Sequence, residues 1–165
     1  MRALIAVSLL LLAGCAGFDG RGLVPGVSTA GDVEKLMGAP AERRAGPDGE
    51  TVLWYPRLPY GRASYAARIA ADGKLIAVEQ RLTEDNLVHL VRGKTTTEAV
   101  HDLFGPPNKV NQFPRMQREV WTYQMPAQTE WKVLFVQFSP DNVLREYYYI
   151  DDPELPRLPA GTFRR

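Results

Sequence analysis

Apolar residues spaced three and four apart occur twice, at Val33, Leu36 and Met37 and again at Val100, Leu103 and Phe104. That spacing marks the buried face of a helix. Each stripe has a start and a stop. Ser28 or Thr29 precedes the first and Gly38-Ala39-Pro40 ends it, while Thr95-Thr96-Thr97-Glu98 has the form of a capping box and Gly105-Pro106-Pro107 ends the second. A further short helix is predicted over 83–90, stopped by Gly93; its counterpart in the first half is weaker because Gly20, Gly22 and Pro25 interrupt it.

After each stripe the period shortens to two. Residues 51–55 and 119–123 alternate and are rich in β-formers; 66–70 and 74–82 flank Asp72-Gly73, and 131–138 and 143–150 flank Asp141-Asn142, pairs suited to hairpin turns. The predicted order is helix, helix, strand, strand, strand, given twice. This is an α+β class with two tandem repeats, helices packed on antiparallel sheets.

The doubling is visible in the letters as well. A shift of 67 positions aligns Leu23 with Leu90, Gly26 with Gly93, Thr29 with Thr96, Gly38 with Gly105 and Trp54 with Trp121, ten identities in the 32 positions from Leu23 to Trp54. Unrelated sequence would give roughly two. Beyond Trp54 the register resumes at 69, pairing Asp72 with Asp141 and Leu75 with Leu144. Duplication explains this best. The expected domains are a leader over 1–14, repeats over 15–82 and 83–150, and a proline-rich flexible tail over 151–165.

The leader has its own chemistry. Arg2 supplies a positive start, Ala3 to Leu12 is a mostly apolar run of ten, and Ala13-Gly14 precedes Cys15, the one cysteine. Ten residues are too few to span a bilayer, which takes about twenty, but they suit a secretory h-region. Leu12-Ala13-Gly14-Cys15 resembles the lipobox of bacterial lipoproteins. The resemblance implies cleavage after Gly14, a thioether-linked diacylglycerol on Cys15 and an acylated new terminus. Two or more chains hold a protein stably at a bilayer where one does not. With Ala16 rather than an aspartate following Cys15, the same resemblance implies the outer membrane, periplasmic face.

The repeat also resembles a known domain. Gly26-Val27-Ser28-Thr29, Val33, Leu36-Met37-Gly38-Ala39-Pro40 and Trp54-Tyr55, matched by Gly93-Lys94-Thr95-Thr96, Val100, Leu103-Phe104-Gly105-Pro106-Pro107 and Trp121-Thr122-Tyr123, look like the SmpA/OmlA domain of the BamE-like outer-membrane lipoproteins. That resemblance implies a non-catalytic protein-interaction module in envelope biogenesis, with the β-barrel assembly machinery as a partner. Val27 and Lys94 stand where the family usually has methionine, and a typical member has a single domain copy. Tandem copies are similar to the β-lactamase inhibitor proteins, which are secreted with disulfides. The alternative they imply is a periplasm-facing inhibitor or ligand-binding lipoprotein.

Composition adds mainly exclusions. With 165 residues, 45% hydrophobic and 24% charged, and a net charge of +1, the chain has the make-up of a globular protein without the basic footprint of a nucleic-acid binder. One cysteine allows neither an internal disulfide nor a cysteine metal cluster. Ser28, Ser64 and Ser139 lie outside any nucleophile elbow, and His89 and His101 lack metal-site spacing. No enzyme, metal or cofactor is expected beyond the covalent lipid. Binding chemistry is expected instead on the second sheet, at Trp131, Phe135, Tyr147 and Tyr149, because the strand at 131–138 is apolar on both faces. One face covers the helices. The other is either buried against the first repeat or left as an aromatic patch, while Trp54 and Trp121 are expected to anchor the core.

Overall fold

The computed structural model describes residues 19–57, 62–126 and 131–153. Among these, two helices of eight residues, α1 (Ala30–Met37) and α2 (Thr97–Phe104), are each followed by four strands. The first group is β1 (Glu42–Ala45), β2 (Thr51–Pro56), β3 (Ser64–Ile69) and β4 (Leu75–Gln80); the second is β5 (Lys109–Phe113), β6 (Arg118–Met125), β7 (Lys132–Phe138) and β8 (Leu144–Asp151). Each group forms one antiparallel sheet in sequence order.

The order helix, helix, strand, strand, strand is therefore wrong, and the fold is mostly β. Each unit has one α-helix and four strands. The expected helix at 83–90 is a 3-10 turn, Asp85–His89, and the segment before α1 is a run of turns in which Gly20, Gly22 and Gly26 take positive φ. The strands missed were β1, Glu-Arg-Arg-Ala, and β5, Lys-Val-Asn-Gln-Phe. Both are edge strands, whose mostly charged or polar side chains conceal any hydrophobic alternation.

The duplication is repeated bond by bond. Gly26 N–H donates to Leu75 O as Gly93 N–H does to Leu144 O, Leu75 N–H to Ser28 O as Leu144 N–H to Thr95 O, and Gly38 N–H to Glu34 O as Gly105 N–H to His101 O. The hydroxyls of Ser28 and Thr95 accept from Val24 N–H and Val91 N–H, closing the turn before each helix. The capping residue of α2 is thus Thr96, which accepts from Ala99 N–H, one place later than the capping-box pattern suggests.

At α1 the box is complete. The backbone amide and hydroxyl of Thr29 both donate to Asp32 at 2.8 Å and hold its carboxyl below the ordinary carboxylate range, while Asp32 N–H donates back at 3.3 Å. A carboxyl lowered by folding adds stability above its unfolded pKa, about 3.9, that is lost as pH falls through the lower folded value. Asp32→Asn is expected to remove this part of the acid dependence. Urea midpoints followed from pH 6 to pH 2 would show it, and parallel curves for variant and parent would refute it.

Each helix covers one face of its own sheet. Val33 and Met37 pack on Leu53, Tyr55, Ala67, Ile69 and Leu75; Val100 and Phe104 pack on Tyr123, Leu134, Val136, Phe138 and Leu144. Trp54 is buried, at 2% exposure, but its side chain leaves the opposite face. The cause is a one-residue difference between the units. Ala41 N–H bonds Trp54 O and Asn108 N–H bonds Thr122 O, so the counterpart of Trp54 is Thr122, and Trp121 corresponds to Leu53. A slip of one residue in a strand reverses the faces. Part of the two-residue offset that the sequence places after Trp54 thus lies in the β5–β6 hairpin, and the Trp54/Trp121 identity does not mark equivalent positions.

Candidate protein-interaction surfaces

The outer face of the first sheet meets α2 of the second unit. His101 lies edge-on to Trp54, ring centroids 5.8 Å apart, and its Nε2 is 2.7 Å from a carboxylate oxygen of Glu42. Gly105 is close enough to the indole that a Cβ would stand 2.4 Å from Trp54 Cε3. Its carbonyl accepts from the buried Tyr123 hydroxyl, whose pKa burial pushes well up. Contact between the units therefore uses the first sheet and α2, where the sequence suggested the second sheet.

Beside this contact runs a groove of about 330 Å³ lined by Arg44, Val52, Trp54, Arg68, Arg81 and Asp102, among others. Three guanidinium groups suggest an anion site, but carboxylates already surround them. Arg68 forms a two-pronged pair with Glu50 at 2.8 and 2.9 Å, Arg81 pairs with Glu79 at 2.8 Å, and Arg44 lies 3.8 Å from Asp102 and 3.9 Å from Glu42. With three arginines against four acids, the groove has no excess positive charge for a phosphate or carboxylate ligand. Among the described residues no group of three or more His, Cys, Asp or Glu side chains converges on a metal position. No described helix is long and apolar enough to cross a membrane.

The second sheet divides the four aromatic residues singled out in the sequence. Tyr147 pairs with Val136 and Tyr149 with Leu134, so both tyrosines leave the helix-covered side. There Arg92 lies over the Tyr147 ring at 5.4 Å, and the Lys132 ammonium over Tyr149 at 4.5 Å. Phe135 is on the opposite side, stacked on Tyr148 at 5.3 Å, with Val133 and Ile150 beside them. Trp131 precedes β7. Arg62, two residues before β3, lies 4.3 Å over its ring and also 2.6 Å from Asp152, a residue only 6% exposed although the sequence puts it in a flexible tail. Cys15 and residues 154–165 lie outside the described residues.

Tyr148 and Ile150, each 44% exposed, are not among the residues singled out in the sequence. They, not Tyr147 and Tyr149, share the face of Phe135. A bulge between Gln137 and Phe138 puts Leu144 and Tyr147, three apart, on the same side, so counting by twos from Leu144 assigns Tyr147 and Tyr149 to the face that Tyr148 and Ile150 occupy. The matching bulge at Arg68/Ile69 has no letter that announces it.

Neither a family model nor a curated protein matches the chain. A solved structure that it is similar to is a DUF4309 family protein, YjgB, from Bacillus subtilis subsp. subtilis str. 168, at 20% identity over 80% of this chain and 84% of that one. The TM-score is 0.33, too low for fold or function to be carried across.

Proposed function

We propose that this chain is a lipid-anchored, non-catalytic protein-interaction module at the periplasmic face of the outer membrane. It serves envelope biogenesis, with β-barrel assembly as the process to which its SmpA/OmlA resemblance points. The observation that carries the reading is the lipobox, Leu12-Ala13-Gly14-Cys15, directly ahead of two small tandem units. Exposed apolar side chains on the outer face of the second sheet support it: Tyr148 and Ile150, beside Phe135, are each 44% exposed, and grouped side chains of this kind mark contact surfaces.

Palmitate labelling with membrane fractionation tests the anchor. The parent is expected to take up label and sediment with outer membrane, and Cys15→Ala to do neither, since one thioether-linked diacylglycerol supplies the chains that hold it. Absence of label from the parent, or unchanged sedimentation of Cys15→Ala, overturns the reading. Photocrosslinking from position 131 in intact cells tests the partner. Barrel-assembly subunits are the expected adducts. Capture of one soluble or cell-wall enzyme would replace this reading with that of an inhibitor.

A further inference from the structure

The contact inside the chain is a template for one between chains. The outer face of the first sheet takes the helix of the unit that follows it; on the same face of the second sheet Tyr148 and Ile150 are each 44% exposed. Residue by residue, that second face holds Lys109 in the position of Glu42, Thr122 in that of Trp54 and Phe135 in that of Ala66. At the other end, α1 holds Glu34 in the position of His101 and Gly38 in that of Gly105.

We propose that copies of this chain associate head to tail, α1 of one copy lying on the outer face of β5–β8 of the next as α2 lies on β1–β4 within the chain. Two features of these residues favour a second copy as the occupant. The carboxylate changes sides across the contact: internally Glu42 of the sheet meets His101 of the helix, at 2.7 Å, and between copies Glu34 of the helix would meet Lys109 of the sheet. Volume is exchanged as well. Trp54 and Ala66 are cross-strand partners, and so are Thr122 and Phe135, so the large ring moves to the neighbouring strand while the small residue takes its place.

The donor side is open. A Cβ at Gly38 would meet nothing within 4 Å, where one at Gly105 would strike Trp54. Lys109 is exposed, and Glu34 keeps a third of its side-chain surface beside Arg43. Because the two patches differ, the association does not close on itself as a two-fold pair does, and further copies can add.

The test uses the full chain in intact cells, carrying a photoreactive phenylalanine in place of Tyr148. Adducts of two, three and more copies are expected, with the crosslink mapping to 30–38 of the acceptor copy. Lys109→Glu or Glu34→Lys alone is expected to lower the yield about tenfold through like-charge contact, and the two together to restore it. Lys109 is exposed, whereas Glu34→Lys also gives up the 2.8 Å pair with Arg43, so the urea midpoint of each variant is read beside its crosslinking yield. The proposal is overturned by a crosslink that stays within one chain at 154–165, by a dimer joined between two copies of β8, by adducts with other proteins alone, or by self-adducts indifferent to both charge reversals.

Discussion

Trp54→Ala is expected to lower stability by about 3–5 kcal/mol, the usual range for deleting a large buried ring, and to make the two units unfold apart. The ring is 2% exposed, yet its near neighbours include His101 and Gly105 of the other unit. Its removal opens a void between the first sheet and α2, leaving at that spot the polar contacts of His101 with Glu42 and of Asp102 with Arg44 and Arg81. Trp121→Ala is the control. Trp121 is half-buried at the border of the second core, against Phe138 at 5.0 Å, and its loss should shift one transition without dividing it. Urea unfolding followed by far-ultraviolet circular dichroism and by tryptophan fluorescence separates the cases, since coincident curves indicate one cooperative unit. A single coincident transition for Trp54→Ala, at the parent midpoint, would show that the ring does not join the units.

How much of this was legible follows from where the hydrophobic signal is strong. Val33 and Met37, Val100 and Phe104 lie buried on α1 and α2, and the Gly-x-Pro stops end both helices. These residues are read by the period of 3.6 alone. The hairpins around Asp72-Gly73 and Asp141-Asn142 formed because Gly73 and Asn142 take positive φ, at 84° and 60°. The edge strands β1 and β5 could not be read in this way, since their partner is the neighbouring backbone and their side chains are mostly charged or polar. The helix expected at 83–90 failed because Leu82, Leu87 and Leu90 pack on the second core from a tighter turn than an α-helix.

The surface was harder to read than the fold. Aromatic content on β7 and β8 is a matter of composition. Which side each ring leaves depends on register, and register depended on one bulge and one additional hairpin residue, neither visible as a motif. Trp54 shows the same limit: buried as expected, but in a contact between units instead of its own core, because identity at a fixed spacing is blind to a slip of one residue.

Gly38 and Gly105 end α1 and α2 in the same way, and substituting them is expected to have unequal effects. Both adopt a conformation nearly restricted to glycine, φ 88° with ψ −174° and φ 80° with ψ −167°. Alanine should cost about 1–3 kcal/mol at either position for backbone strain alone. At Gly105 the new methyl would also stand 2.4 Å from Trp54 Cε3 and 2.8 Å from Ser64 Oγ, adding about 1–3 kcal/mol of overpacking. Strain belongs to the helix end and overlap to the contact between units, so the difference between the variants measures the contact. In a Trp54→Ala background the overlap with the ring disappears and that with Ser64 Oγ stays, so Gly105→Ala should then cost less than in the parent and still more than Gly38→Ala. Urea midpoints of the four single and double variants complete that cycle. If Gly105→Ala is no worse than Gly38→Ala in the parent, α2 does not lie against Trp54, and the template for association between copies is lost with it.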